Sequence, residues 1–127
     1  MSKALVVDDS RTIRRILGGI LAELGFEICQ AENGREALGV LDRERAAGVP
    51  VSLTLVDWNM PEMNGLEFVQ GLRADSRNAD VIAIMVTTET QIDQIVAALE
   101  AGANEYVMKP FTKDVIHDKL RLLGVMQ

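Results

Sequence analysis

The chain has 127 residues, a length typical of one domain, and 48% of them are hydrophobic, which is enough to bury a sizeable core. Its 13 basic and 19 acidic residues give a net charge of −6, the wrong sign for neutralising a nucleic-acid backbone, and no local basic patch compensates. The single cysteine, Cys29, excludes a disulfide framework, and the apolar runs are too short for a membrane span. We therefore expect one soluble, cytoplasmic domain, residues 1–127.

Short apolar strands alternate with amphipathic helices along the chain. Strands are predicted at 5–7, 28–29, 53–56, 81–86 and 106–108. After the first strand, apolar residues recur at steps of three and four from Ile13 to Leu24, with Ser10 as N-cap and Gly25 as the stop. Further helices are predicted at 34–46, 64–74, 92–101 and 113–123, with Asn33 and Thr112 as caps. Two strands are apolar on both faces, which favours a parallel sheet between helical layers.

Five successive strand–helix units predict an α/β fold, a doubly wound parallel sheet with helices on both faces. Ligands of such sheets bind at the carboxyl ends of the strands, beside the point where the winding reverses. Polar residues follow four of the predicted strands, namely Asp8, Asp9, Asp57, Thr87, Thr88 and Lys109. The sequence therefore predicts a polar site at this edge.

Three aspartates at one edge need a compensating positive charge. Two unit charges about 4 Å apart repel by roughly 4 kcal/mol at an effective dielectric near 20. Lys109 can offset one charge, and a hard divalent cation such as Mg²⁺ can offset the rest. Magnesium, a lysine and the Thr87 hydroxyl suit a phosphoryl group, and a carboxylate can act as nucleophile. The alternative is that the aspartates and Thr87 only cap helices or turns, and that Lys109 is solvated.

Four segments carry a family resemblance: residues 5–10 (LVVDDS), 56–65 (VDWNMPEMNG), 86–89 (VTTE) and 106–111 (YVMKPF). Together they resemble the bacterial response-regulator receiver domain, in particular the single-domain chemotaxis regulators. The resemblance covers essentially the whole chain. It implies a flavodoxin-like five-stranded sheet of order 2-1-3-4-5 with five helices, and no output domain.

The resemblance also implies a site. Asp57 would accept a phosphoryl group from a sensor histidine kinase or a small phosphodonor. Magnesium would be bound by Asp9, Asp57 and the Asn59 carbonyl, and by Asp8 through a water molecule. Lys109 would pair with the phosphoryl group.

Further roles follow from the same resemblance. Thr87 would turn to donate a hydrogen bond to the phosphoryl group, and Tyr106 would move inward into the vacated space. The alternative for Tyr106 is simple packing with its hydroxyl in water. Asn59 and Glu89 would tune dephosphorylation. Gly65 would serve a tight bend, and the peptide before Pro110 would be cis.

The implied protein is not an enzyme but a phosphoacceptor that assists its own phosphorylation and dephosphorylation. Its partner surface would span the fourth helix, the fifth strand and the fifth helix, including Ile92, Ile95, Tyr106 and Lys119. The target could be a flagellar motor switch protein, a phosphatase could shorten the signal, and nothing demands more than a monomer. The sequence departs from the chemotaxis regulators at Thr88, Glu105 and the connection 45–49.

Three other functions stay open from the sequence. One is a phosphorelay intermediate that passes its phosphoryl group to a histidine phosphotransfer domain. Another is an aspartate-nucleophile phosphatase, although that class expects a second aspartate where this chain has Asn59. The third is a flavin carrier, although Asp8 and Asp9 stand where a phosphate cradle needs backbone donors.

Overall fold

The computed structural model describes residues 2–88 and 92–125, which form a five-stranded parallel sheet between two layers of helices. The strands are β1 (Lys3–Val7), β2 (Glu27–Ala31), β3 (Leu53–Asp57), β4 (Ile82–Thr87) and β5 (Glu105–Met108). The helices are α1 (Arg11–Glu23), α2 (Gly34–Ala46), α3 (Gly65–Ala74), α4 (Ile92–Ala101) and α5 (Lys113–Leu122). The strand order is β2-β1-β3-β4-β5. The flavodoxin-like α/β fold is therefore confirmed, with its order 2-1-3-4-5.

The sheet is covered on both faces, as the apolar strands predict. Every residue of β1 and β3 is buried. One core cluster joins the sheet to α2, α3 and α4 and includes the fully buried Phe68, while a second joins it to α1 and α5 and includes Leu17 and Ile116. Each such side chain contributes roughly 1.5–3 kcal/mol on burial, so the two clusters hold the sheet between its helical layers.

Most helix ends lie where the sequence predicts them. The side chains of Ser10, Asn33 and Thr112 each accept a hydrogen bond from the backbone N–H three residues later, at the starts of α1, α2 and α5. Gly25, with φ of 99°, follows the end of α1. One short element was not predicted, a 3-10 turn at Ser76–Asn78 after α3.

Arg73, near the end of α3, joins three connecting segments at the amino-terminal edge of the sheet. Its Nη1 donates to Asn78 O at 2.8 Å, and its Nη2 donates to Val81 O at 2.7 Å and to Asn104 Oδ1 at 2.9 Å. Its Nε donates to Gly102 O at 3.0 Å. These acceptors belong to the 3-10 turn, the approach to β4 and the connection between α4 and β5, so one guanidinium fastens all three segments.

Gly65, the first residue of α3, lies against the end of β3. A Cβ at this position would lie 2.6 Å from Met85 Cε, 2.9 Å from Asp57 O and 3.0 Å from Trp58 Cα. Gly65 is not among the residues with positive φ. What requires glycine here is therefore the close approach of helix and strand, and not a positive φ.

We expect Gly65→Ala to lower the free energy of unfolding by roughly 1–3 kcal/mol, because the added methyl group must displace backbone atoms next to Asp57. Gly39→Ala is the matched control: Gly39 lies inside α2 with no heavy atom within 4 Å of an added Cβ. That change should instead raise stability by roughly 0.5–1 kcal/mol. Urea unfolding followed by circular dichroism measures both, and an unchanged midpoint for Gly65→Ala would contradict the close-approach explanation.

Candidate functional site

The carboxyl edge of the sheet carries the acidic residues that the sequence predicts there. Asp8 and Asp9 follow β1, and Asp57 is the last residue of β3. Strands β1 and β3 are neighbours in the sheet although β2 separates them along the chain, so the three carboxylates meet where the winding reverses. One carboxylate oxygen of each residue lies within 4.8 Å of the others.

Lys109, just after β5, brings a positive charge to this cluster. Its Nζ lies 3.1 Å from Asp57 Oδ1 and 3.8 Å from Asp8 Oδ2. The side chains of Asp57 and Asp8 are 8% and 1% exposed, whereas that of Lys109 is 27% exposed. One ammonium group faces three carboxylates, so the described part of the site keeps a negative charge that a further cation can offset.

Burial raises the pKa of the two inner carboxyl groups. The pKa of Asp8 is raised to about 6, first by burial and then by the nearby charge of Asp57, against the lowering effect of the Ser10 N–H. The pKa of Asp57 is also raised by burial, although the hydrogen bond and charge of Lys109 oppose the rise. The ionised forms are therefore less favourable here than in water.

The donor atoms fit a divalent metal ion. Asp8 Oδ1 accepts a hydrogen bond from Ser10 N at 2.8 Å. Asp8 Oδ2 is buried, and within residues 2–88 and 92–125 it has no hydrogen-bond partner. Hard divalent cations are bound through carboxylate oxygens of this kind. Asp8, Asp9 and Asp57 therefore form a cluster that could hold such an ion.

Arg14 fixes the first acidic segment, and the sequence analysis did not single it out. Its Nη1 donates to Asp8 O at 2.6 Å, and its Nε donates to Gln30 Oε1 at 3.2 Å. Arg14 occupies a polar position of an amphipathic helix, where arginines are usually solvated. No pattern in the sequence distinguishes it from its neighbours, since its partners come from outside α1.

Thr87 lies on β4 and Tyr106 on β5, the two strands that follow β3 in the sheet. In the register of β3 and β4, Thr87 is one residue closer to the carboxyl edge than Asp57. Thr87 is 2% exposed, and its carbonyl accepts the Lys109 N–H at 2.6 Å. Tyr106 is half-buried opposite Met85, two residues back from the row that contains Thr87. Thr87 thus borders the acidic cluster, while Tyr106 lies farther from the carboxyl edge of the sheet.

Two further predicted residues follow the strand ends. Asn59 is exposed, two residues after Asp57. Glu89 lies outside the described residues. The peptide between Lys109 and Pro110 is cis, as the resemblance implies.

Helix α4 presents a different surface from the one expected. Ile92 is 61% exposed, but Ile95 is only 6% exposed and is directed inward. The expectation that Ile95 lies on a partner surface is therefore wrong. The exposed apolar side chains of α4 are Ile92, Val96 and Leu99, while Lys119 on α5 is partly exposed and contacts Glu105.

The sequence model of the response regulator receiver domain matches residues 4–121. The chain belongs to this family. Chemotaxis protein CheY1 of Helicobacter pylori is 46% identical to this receiver domain over 122 residues, which are 95% of each chain. The chemotaxis protein CheY homolog of Campylobacter jejuni is 46% identical over 119 residues, 93% of this chain and 88% of that protein.

The solved structures agree with the family. Chemotaxis protein CheY4 of Vibrio cholerae matches this receiver domain with a TM-score of 0.86 and 34% identity, covering 96% of this chain and 98% of that one. The matches give no support to the phosphatase or the flavin carrier. Across residues 2–88 and 92–125, no helix combines the length and apolar character that a membrane crossing requires.

Proposed function

We propose that this receiver domain is a chemotaxis response regulator that accepts a phosphoryl group on Asp57 from a histidine kinase in the cytoplasm. The observation that carries the proposal is the buried Asp57 carboxylate, paired with Lys109 at 3.1 Å beside two more aspartates. The similarity to the CheY proteins of three bacteria supports the chemotaxis role. The domain would assist its own phosphorylation and dephosphorylation and would not act on other substrates.

In the proposed reaction, one Asp57 carboxylate oxygen forms a bond to phosphorus while the bond from phosphorus to the donor's histidine nitrogen breaks. The leaving nitrogen keeps the electron pair and takes up a proton from solvent. Lys109 would pair with the phosphoryl oxygens, and the Thr87 hydroxyl would donate to one of them. The burial of Asp57 supports this role, because such electrostatic contacts are stronger where water is excluded.

We propose that Asp8, Asp9 and Asp57 hold Mg²⁺ together with the Asn59 carbonyl, Asp8 acting through a water molecule. When bound, Mg²⁺ would neutralise charge on the transferring phosphoryl oxygens. Asp8 Oδ2 supports this assignment, because it is buried and accepts no hydrogen bond within residues 2–88 and 92–125. Asn59 and Glu89 would tune hydrolysis of the phosphoryl group, and a separate phosphatase could accelerate it.

The proposed output is a change in the surface formed by α4, β5 and α5. Thr87 would turn toward the phosphoryl group, and Tyr106 would move into the space that it leaves. A flagellar motor switch protein is the proposed partner. The exposed apolar residues of α4, Ile92, Val96 and Leu99, support a partner contact on this surface.

Trp58, the only tryptophan, directly follows Asp57 and is 8% exposed, so its fluorescence can report on the site. We expect Mg²⁺ to change its emission and beryllium trifluoride, a phosphoryl mimic, to change it again. Fluoride without beryllium is the control and should have no second effect. A silent tryptophan together with no covalent adduct after acetyl phosphate treatment, measured by intact-protein mass spectrometry, would overturn the proposed function.

A further inference from the structure

Lys119 reaches around the edge of the sheet. Strand β5 is an edge strand, and its successive side chains point to opposite faces. Val107 packs in the core cluster of α1 and α5, whereas Tyr106 packs against the cluster of α2, α3 and α4. Lys119 belongs to α5, yet its Nζ lies 4.8 Å from the centre of the Tyr106 ring. Its side chain therefore crosses β5 from one face to the other.

Glu105 holds Lys119 in this position. Its Oε1 lies 3.4 Å from Lys119 Nζ and accepts the backbone N–H of Tyr106 at 3.0 Å. The side chains of Glu105 and Lys119 are 19% and 28% exposed, so water screens their pair less than a fully exposed one. One carboxylate oxygen thus contacts both the backbone of Tyr106 and the ammonium group that covers its ring.

The aromatic ring of Tyr106 completes the arrangement. A cation over the face of a tyrosine ring is attracted to it, and this attraction depends on the position of the ring. If the ring leaves its half-buried position, Lys119 loses that contact while its pair with Glu105 can remain. The arrangement therefore favours the observed ring position over any position away from Lys119.

We propose that Glu105 and Lys119 form a clamp that holds Tyr106 in its half-buried position and opposes its inward movement on phosphorylation. This inference rests on the proposed function, in which Tyr106 moves inward. Glu105 is then a positioning residue that acts through Lys119 and the Tyr106 backbone. A contact that exists only before Tyr106 moves inward stabilises that state. By linkage, it lowers the affinity for any ligand whose binding requires the inward movement.

The test uses the full chain with 3-fluorotyrosine, because the only tyrosine then gives one ¹⁹F resonance. We expect Glu105→Gln, in Mg²⁺ alone, to move that resonance toward its position in the wild type with beryllium trifluoride. The concentration of beryllium trifluoride for half-saturation, followed by Trp58 fluorescence, should fall about fivefold, which corresponds to about 1 kcal/mol. Lys119→Arg, which keeps a positive charge beside Glu105, should keep the half-saturation concentration near its wild-type value.

Glu23→Gln is the matched control, since it removes the carboxylate of another lysine pair, with Lys113 at 2.9 Å, away from Tyr106. It should change neither reading. An unchanged resonance and half-saturation in Glu105→Gln would overturn the clamp. A wild type that does not respond to beryllium trifluoride would instead overturn the proposed function. In that case the solvent isotope shift of the ¹⁹F resonance, which measures the exposure of the ring to water, tests the clamp by itself. A changed ring exposure in Glu105→Gln would support the clamp, and an unchanged one would overturn it.

Discussion

Asp57→Asn is expected to abolish phosphoryl uptake from acetyl phosphate while the fold is kept. An amide lacks the anionic oxygen that must attack phosphorus, so no adduct should form at any donor concentration. The fold should remain because the change removes one of three crowded negative charges and preserves the shape of the side chain. Intact-protein mass spectrometry after treatment with acetyl phosphate and Mg²⁺ measures the adduct, and circular dichroism measures the fold.

Asp80→Asn is the matched control for this experiment. Asp80 is exposed and lies in the connection before β4, at the edge of the sheet opposite Asp57. Its variant should be phosphorylated like the wild type. A phosphoryl adduct on Asp57→Asn would assign the acceptor to another residue, which peptide mapping of the treated protein would identify.

Asp8→Asn is expected to stabilise the metal-free protein at neutral pH and to remove most of the stabilisation that Mg²⁺ provides. The pKa of Asp8 is raised from 3.8 to about 6 in the folded state, so the folded protein binds this proton more tightly than the unfolded chain. The ionised carboxyl therefore lowers the free energy of unfolding, an effect that is absent below pH 3.8 and complete above about pH 6. At pH 7 the cost is on the order of 3 kcal/mol.

Thermal unfolding in a chelator and in Mg²⁺, over this pH range, tests the prediction. In the chelator, the stability of Asp8→Asn relative to the wild type should grow as the pH rises from 4 to 6, because only the wild type has a carboxyl group at position 8 that loses its proton. Magnesium should shrink the difference by stabilising the wild type through mass action. Asp80→Asn should follow the wild type throughout. A difference that is constant with pH, or equal magnesium effects in both proteins, would contradict the role given to Asp8.

The sequence predicted the fold well because local signals agreed with one another. Apolar strands, amphipathic helices and caps such as Ser10 and Thr112 depend on residues close together along the chain, and each lies where it was expected. The acidic cluster was also predictable, since parallel strands carry their following residues to one edge of the sheet. The strand order was different: it came from the family resemblance, and periodicity alone does not determine it.

The errors concern contacts between elements that are distant in the sequence. Helix α4 is apolar on both sides, so its pattern did not show that Ile95 is directed inward and Val96 outward. Nothing in the chain reveals either that a side chain at position 65 would touch Met85. The contact of Lys119 with Glu105 could not be predicted either, since it depends on how the side chains of α5 are directed relative to β5, which no local pattern reveals. In the sequence, Glu105 stands out only as a departure from the chemotaxis regulators.

The hydrogen bonds of Arg73 have a consequence for how the chain folds. Its partners extend to Asn104, 31 residues further along, and burial lowers the pKa of the guanidinium. If the connection between α4 and β5 opened alone, Arg73 would lose its hydrogen bonds to Gly102 O and Asn104 Oδ1, of which the first is partly buried. We therefore infer that the chain from α3 through β5 forms one cooperative folding unit. The backbone amides at its amino-terminal edge should exchange hydrogen with solvent only when the whole unit opens.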